Sequence, residues 1–349
     1  MKRMLSVIVV FALLTAALPV AAAAAGQLWQ PAAETNAGAP SEGVPETVDP
    51  FSPTPAPAAS PTPVPEGRTL KVLDTGSGQV VEIGLEEFVL GSVASEMPHT
   101  WPDEALKAQA VASRSYALAR AALNDGSDPD LQGADFSADP ARHLGYVRQQ
   151  EMQEMWGTEY ETIYARLSGL VAQTAGQTLQ YEGETALACY HAISNGRTEA
   201  SENVWTAALP YLSGVDSALD ATSPDYEVTT SMTESEVKRA LEAAFPDIRP
   251  EGDPGGWFTA PVYTEAGYLD KMTVCGAEVD GGALRSALGL RSSCFSASYA
   301  HGSFTFVTKG YGHGVGLSQY GAYALALTGQ TYDAILASYY PGTVLDKPA

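Results

Sequence analysis

The stretch LEEFVLGSVASEMPHTWPDEALKAQAVASRSYALARAAL, residues 85–123, carries the strongest structural pattern in the chain. Its first part has apolar residues at helical spacing up to Val93, which predicts a short helix that ends before the Met-Pro pair. Thr100, followed three residues later by Asp103, resembles a capping box. A long helix rich in Ala, Leu and Tyr is therefore predicted over about 102–123, and the two helices form the centre of the predicted fold.

The flanking sequence predicts both strands and helices. Strand-like runs at 69–73 and 79–83 surround a Gly-rich turn. Further helices are predicted near 159–173, 233–244, 281–289, 315–327 and 331–339, and further strands near 177–182, 185–193, 271–278 and 303–308. Since no regular strand–helix–strand alternation is present, the predicted class is α+β, with mixed helices and short antiparallel sheets.

The first 26 residues resemble an export segment. Lys2 and Arg3 precede an uncharged apolar run that extends from Met4 to Ala25. Small residues before Gly26 suit a signal peptidase, whereas an apolar run of about 20 residues also suffices to span a bilayer. The leader is thus a cleaved signal peptide or an N-terminal membrane anchor, and both place the rest of the chain outside the cytoplasmic membrane.

Residues 27–67 are rich in Pro, Ala, Ser and Thr. Such a composition cannot form a packed core and favours extended, polyproline-like conformations. We interpret this segment as a linker, either a semi-stiff spacer or a plain disordered connection, before a globular domain predicted over 68–345.

The chain is strongly acidic, with a formal net charge of -22 and a pI near 4.4. A field of this sign opposes nucleic acid and anionic membrane surfaces as main partners. The predicted contact with a membrane is limited to the N-terminus, if the leader is retained.

Glu96 is the first candidate for chemistry, because it stands in the largely apolar stretch VASEMP. A carboxyl group deprived of water keeps its proton near neutral pH, as a general acid requires. A glutamate in the last turn of a helix is more often exposed, so local context alone favours a structural interpretation. Lys107 and Arg114 lie two helical turns apart and share one face of the long helix. They form either a small cationic stripe or two solvated surface cations.

The run YHAISNGRTE, residues 190–199, gathers polar side chains at the end of an apolar strand. His191, Ser194 and Asn195 are candidate binding residues there, because loops held by a rigid strand often carry function. A serine hydrolase is disfavoured, since no nucleophile-elbow sequence surrounds Ser194. Cys189 with His191 is a possible start of a zinc site, but no further Cys or His completes the usual ligand spacing.

The run GYGHGVGLSQYGA, residues 310–322, is unusually rich in glycine for the start of a helix. It lacks the lysine of a phosphate loop and the spacing of a dinucleotide-binding turn, so nucleotide binding is excluded. We expect a tight turn that places His313 and Gln319 in or near a cleft.

Three cysteines leave at least one thiol unpaired. Cys275 and Cys294 are able to close a modest loop, which leaves Cys189 as the odd thiol. The alternative is three buried thiols, because many bacterial envelope proteins do not depend on disulfides.

Together these stretches resemble the stage II sporulation protein D (SpoIID/LytB) family. The matching pieces, in order, are 85–98, 104–117, 191–199, Val204-Trp205, 210–212, Leu284-Arg285, 288–292 and 310–322. They extend over most of 68–345, and a motif set of this length is highly specific. The segment 130–145 departs from the pattern usual in the family, so we expect the rim of the central cleft to differ there.

The resemblance implies a lytic transglycosylase that acts on peptidoglycan glycan strands from which stem peptides have been removed, in sporulation at the engulfment stage. It implies that Glu96 is the single general acid/base, with Lys107 and Arg114 near it and with His191, Ser194, Asn195, His313 and Gln319 as substrate-binding candidates. Some family members bind zinc through His and Cys. The stretch after His191 has no Cys, so no cofactor is expected here.

Two other functions remain open at this point. One is a non-catalytic wall-binding protein that stimulates a partner amidase, a role also associated with relatives in the family. The other is a conventional glycoside hydrolase that uses water as its nucleophile. The residues themselves also leave sporulation and vegetative growth open.

Overall fold

The computed structural model describes residues 67–140, 142–205 and 207–346. The predicted leader at 1–26 and, except for Gly67, the predicted linker at 27–67 lie outside these residues. Their boundaries, and that of the domain predicted at 68–345, stay predictions.

Helices and strands alternate irregularly along the chain. The helices are α1 Leu85–Glu96, α2 Asp103–Leu123, α3 Gln149–Trp156, α4 Tyr160–Gln173, α5 Ser201–Trp205, α6 Glu234–Ala244, α7 Gly281–Ala287, α8 Gln319–Leu327 and α9 Tyr332–Tyr339. The strands are β1 Thr69–Asp74, β2 Gln79–Gly84, β3 Phe136–Ser137, β4 Thr178–Tyr181, β5 Glu184–Thr185, β6 Tyr190–His191, β7 Glu227–Thr233, β8 Phe258–Tyr263, β9 Leu269–Val274, β10 Ala277–Asp280, β11 Phe295–Ala300, β12 Ser303–Lys309, β13 Leu317–Ser318 and β14 Val344–Asp346.

The strands form several small sheets rather than one large one, in the orders β2-β1-β3, β10-β9-β8, β11-β12-β7, β13-β6 and β14-β4-β5. Most pairs are antiparallel, as predicted, but the short pairs β1–β3 and β6–β13 are parallel. The α+β class predicted from the sequence is confirmed.

Helix α1 is buried on nearly every side. Its apolar residues are not confined to one stripe, which is typical of a helix inside a core. Phe88 is fully buried between the rings of Phe136 and Tyr146, at centroid distances of 5.2 and 5.4 Å. The helix ends where Met97 turns to an extended conformation. Pro98 follows it, and a proline disfavours helical φ and ψ angles in the residue before it.

Helix α2 forms the centre of the larger core, as its Ala-rich sequence allows. It packs against α1, α4, α8 and α9. Ala105, Ala108, Ala110 and Ala112 are fully buried, and their small side chains let neighbouring helices approach closely. This packing brings the end of α1 next to the start of α8.

A second hydrophobic cluster is built from residues 237–306, with Trp257, Phe304 and Phe306 among its largest buried side chains. It packs α6 and α7 against the two three-stranded sheets of β7–β12. The Tyr268 hydroxyl connects it to the 190–199 loop by donating to Arg197 O at 3.1 Å. This part of the chain therefore helps to hold the 190–199 loop in place.

Four local predictions differ from the structure. The N-cap of α2 is Pro102 without a side-chain hydrogen bond, so the capping box at Thr100 does not form. The strand predicted at 185–193 is divided into β5 and β6, and the one at 271–278 is a hairpin that turns at Cys275 and Gly276. The helix predicted at 315–327 begins only at Gln319, because Leu317 and Ser318 pair with β6 instead.

All three cysteines are free thiols, and the Cys275–Cys294 pairing considered from the sequence is absent. Burial raises the pKa of Cys189 to about 12, so this thiol stays protonated. Within the described residues, no helix combines the length and apolar character needed to cross a membrane.

Candidate active site

Glu96 is the last residue of α1, at the point where the helix meets the loop before α2. Two groups distant in sequence donate to its carboxyl group. The backbone N–H of Gly145 donates to Oε1 at 2.8 Å, and Gln319 Nε2 donates to Oε2 at 3.1 Å. The end of α1, the loop before α3 and the start of α8 therefore hold one carboxyl group from three sides.

The pKa of Glu96 is raised, because burial removes the water that would stabilise the charged form. The hydrogen bonds from Gly145 and Gln319 oppose this shift, since they stabilise the carboxylate. Part of the residue surface stays accessible. The site thus combines a carboxyl group of raised pKa with a partly accessible surface.

A buried polar row continues behind the carboxyl group. Gln319 Nε2 also lies 3.4 Å from Gln109 Oε1, and Gln109 Nε2 donates to Ser113 Oγ at 3.0 Å. Ser92 Oγ donates to the same Ser113 Oγ at 3.0 Å, which returns the row to α1. Because buried polar groups are costly when unpaired, this row restricts the orientation of Gln319 and so of Glu96.

Tyr190 was not a candidate from the sequence, although it lies in the 190–199 run. Its buried hydroxyl is near Glu96, Ser92 and Ser113, but no hydrogen bond of good geometry joins it to any of the described residues. Burial, followed by the charge of Glu96, raises its pKa well above the ordinary value, so the hydroxyl stays protonated. Strand alternation could have indicated that Tyr190 and His191 point to opposite sides.

Glu96 has no carboxylate among the groups that shift its pKa or bond to it within the described residues. Such a site has the parts for single-carboxyl chemistry. It does not resemble the paired carboxylates of ordinary glycoside hydrolases.

Arg114 does not form the exposed cationic stripe considered from the sequence. Its side chain has 0% exposure and makes a two-pronged ion pair with Glu86, with Nε donating to Oε1 at 2.8 Å. Lys107 is paired with Glu104 and lies 5.1 Å from the ring centre of Tyr332. The interpretation of a stripe is wrong for Arg114, because α2 is enclosed by other helices over that turn.

Ser194 and Asn195 hold the loop together instead of facing open space. Ser194 Oγ donates to Asp220, a fully buried carboxylate that also accepts from Ser217 Oγ at 2.9 Å and Ser318 Oγ at 2.8 Å. Asn195 Nδ2 donates to Ala266 O at 2.8 Å. Asp220, which the sequence did not single out, therefore connects the 190–199 loop to the start of α8.

His191 and His313 lie together, with ring centres 5.8 Å apart. His191 Nδ1 lies 3.1 Å from Val315 O, while its buried Nε2 has no hydrogen-bond partner among the residues that the structure describes. Burial lowers the pKa of His191 to about 4, and it lowers that of His313 well below the ordinary value. Both rings are neutral at pH 7, and neither contacts Glu96.

The residues near His191 do not fit a zinc ion. Its Nε2 is an available donor atom, but the thiol of Cys189 stays protonated in the core. No group of three or more His, Cys, Asp or Glu side chains suited to a metal occurs among the residues that the structure describes.

The fold and this site define an α+β protein with one shielded carboxyl group at a helix end. The chain belongs to the stage II sporulation protein D (SpoIID) family. A family model described as "Stage II sporulation protein" matches residues 74–181. Stage II sporulation protein D of Bacillus subtilis (strain 168) is 35% identical over 279 residues, which cover 80% of this chain and 79% of that protein. The Bacillus amyloliquefaciens protein of the same name matches to the same extent. The amidase enhancer of B. subtilis is 28% identical over 73% of this chain and 40% of its own length.

Proposed function

We propose that the protein is a lytic transglycosylase that cleaves the bond between N-acetylmuramic acid and N-acetylglucosamine in glycan strands stripped of stem peptides. The observation that carries this proposal is the largely shielded Glu96 carboxyl group, which accepts from Gly145 and Gln319 and has no second carboxylate among its partners within the described residues. The family and the names of the B. subtilis relatives support a wall-related role in sporulation. The leader expected from the sequence would place that role outside the cytoplasmic membrane.

The reaction requires one carboxyl group in two successive roles. Protonated Glu96 donates its proton to the glycosidic oxygen, and the C1–O bond breaks as the N-acetylglucosamine 4-hydroxyl leaves. The 6-hydroxyl of the same N-acetylmuramic acid then attacks C1, and the Glu96 carboxylate accepts the hydroxyl proton. The product is a 1,6-anhydro ring, water is not consumed, and Glu96 is protonated again.

Gln319 and Gly145 have supporting roles in this scheme. They donate hydrogen bonds to the Glu96 carboxylate that exists between the two steps, and so stabilise it. Before the first step the pKa of Glu96 is still raised in spite of these bonds. Neither residue exchanges a proton with the substrate.

The test supplies stripped strands to the purified protein, and mass spectrometry detects 1,6-anhydro ends. We expect Glu96→Gln to reduce their formation by at least about 100-fold, because general acid–base catalysis supplies that factor or more. Glu87→Gln is the matched control, since Glu87 is an exposed glutamate on the same helix. Equal cleavage by wild type and Glu96→Gln would remove Glu96 from its role, and reducing ends would indicate hydrolysis by water.

A second function is stimulation of a partner amidase without catalysis. The similarity to the amidase enhancer of B. subtilis favours it. A peptidoglycan amidase assayed with wild type and with Glu96→Gln separates the two proposals. Equal stimulation by both proteins, with no 1,6-anhydro ends from wild type, would support the binding role over the enzyme.

A further inference from the structure

Three aromatic side chains form a cluster on the elements that hold Glu96. Trp101 lies in the loop between α1 and α2, and Tyr320 and Tyr323 lie on α8. The ring centre of Trp101 is 4.9 Å from that of Tyr323 and 6.3 Å from that of Tyr320, and the two tyrosine rings are 5.3 Å apart. All three side chains are only half-buried, so the cluster keeps an accessible surface.

The cluster and the carboxyl group share their supporting elements. Trp101 follows Glu96 in the loop that leaves α1, and Tyr320 directly follows Gln319, which donates to Glu96 at 3.1 Å. The backbone N–H of Tyr320 donates to Ala192 O at 3.0 Å, which attaches this end of α8 to the 190–199 loop. The aromatic cluster and the carboxyl group are therefore held by the same two elements, the loop after α1 and the start of α8.

The loop that carries Trp101 is held in place by hydrogen bonds within the protein. The backbone N–H of Trp101 donates to Pro98 O at 3.0 Å. From α4, Arg166 Nη2 donates to Trp101 O at 2.8 Å, and its Nη1 donates to His99 O. A surface ordered beforehand loses less conformational freedom on binding, which favours a role in recognition.

We propose that Trp101, Tyr320 and Tyr323 form a stacking platform for the pyranose ring next to the bond that Glu96 protonates. The inference rests on the proposed function and names the part of the strand that this surface holds. A β-linked amino sugar carries equatorial substituents and presents a face of axial C–H groups. Aromatic faces are negative and attract such C–H groups, and they exclude water at the same time. Sugar binding sites commonly combine such apolar walls with a few polar groups, here Glu96 and Gln319.

Binding is tested in the Glu96→Gln protein, so that cleavage does not interfere. The probes are a linear tetramer of β-1,4-linked N-acetylglucosamine and stripped glycan strands, with affinity measured by calorimetry. We expect Trp101→Ala and Tyr320→Ala each to weaken binding by about tenfold. Trp101→Phe should retain most of the affinity. Tyr263→Ala is the matched control, because Tyr263 is 45% exposed on β8, an edge strand of the sheet β10-β9-β8.

The same substitutions in the active protein give a second readout. Loss of a platform that binds substrate and transition state alike should raise KM by a similar factor with little change in kcat. If Trp101→Ala fails to fold by circular dichroism, Tyr320→Ala decides the question. Unchanged affinity in both folded variants overturns the proposal. If only Tyr320→Ala folds, unchanged affinity in that variant overturns it.

Failure of this inference and failure of the proposed function give different results. If wild type produces 1,6-anhydro ends and the aromatic variants keep the wild-type KM, the enzyme stands and the platform does not. If wild type produces no such ends while the aromatic variants still lose affinity, the platform stands as part of a strand-binding protein.

Discussion

At the scale of single residues, the environment of Glu96 is decided by two opposing effects. Burial favours its protonated form, while Gly145 and Gln319 favour the carboxylate. The balance leaves the pKa raised, so the protonated acid persists above its ordinary range. Activity that needs this acid is therefore present at lower pH and is lost as the pH rises through the raised pKa.

Gln319→Ala should move the basic limb of the kcat/KM profile to higher pH. The change removes a donor to the carboxylate, so the charged form loses stabilisation and the pKa of Glu96 rises further. The rate below the limb should also fall, because the intermediate carboxylate loses the same hydrogen bond. The measurement is the pH dependence of 1,6-anhydro product formation. A limb that moves to lower pH would contradict this account.

Arg114→Met should destabilise the protein by about 3–5 kcal/mol, because it leaves the Glu86 carboxylate buried and uncompensated. Urea unfolding at pH 7 measures the change. Lys238→Ala is the control, since the Lys238–Glu242 pair is roughly half exposed and should change stability by about 0.5 kcal/mol or less. A small change in the free energy of unfolding, together with lost binding of glycan strands by the folded variant, would indicate that Arg114 binds substrate.

At the scale of elements, the site depends on close approach between the end of α1 and the loop before α3. A Cβ at Gly145 would lie 2.6 Å from both Glu96 Oε1 and Ser95 Oγ. The Gly-rich loop shows the same requirement at Gly316, where φ is +74° and a Cβ would overlap the carbonyl group of Cys189. Glycine thus lets the backbone approach the Glu96 carboxyl group at Gly145 and the Cys189 carbonyl group at Gly316. A larger residue would separate the groups at either position.

Gly145→Ala should reduce kcat by about 100-fold, because a displacement of about 1 Å at a catalytic group is enough for such a loss. The backbone at Gly145 has no positive φ, so its conformation is one that alanine also adopts. The side chains of Glu96 and Ser95 should move instead, and the protein should stay folded. Activity assays combined with thermal unfolding separate the two effects. Gly169→Ala in α4 is the matched control, because a Cβ there meets nothing within 4 Å. Wild-type kcat in Gly145→Ala would show that the position of the carboxyl group is less restricted than the contacts indicate.

At the scale of the whole molecule, the net charge of -22 is not offset by the cationic stripe considered from the sequence. Arg114 is buried and ion-paired, and Lys107 is paired with Glu104. A strand that carries lactyl carboxylates would therefore meet a repulsive field on approach.

The KM for stripped strands should fall as ionic strength rises from about 10 mM to about 150 mM, because salt screens this repulsion. Kinetics at several salt concentrations measure the effect. The neutral N-acetylglucosamine tetramer is the control ligand, and its affinity should depend little on salt. A KM that rises with salt would indicate a local cationic site outside the residues considered above.

Local patterns in the sequence were sufficient for many of the elements. The helices α1, α2, α4, α6, α7 and α9 and the strands β1, β2, β4 and β12 follow from periodicity and turn residues, which act over a few neighbouring positions. The elements that were not predicted include strands β7, β8 and β11 and helix α3. Their residues are largely exposed or mixed, so they lack a clear apolar pattern.

The sequence by itself determined the α+β class, the family and Glu96 as the residue on which the chemistry is proposed. Only the tertiary structure decided what surrounds that residue. Its donors lie 49 and 223 positions away, Arg114 proved to be enclosed, and Ser194 proved to hold Asp220. The physical reason is that burial and hydrogen bonding depend on packing between distant segments, whereas helix and strand patterns depend on near neighbours.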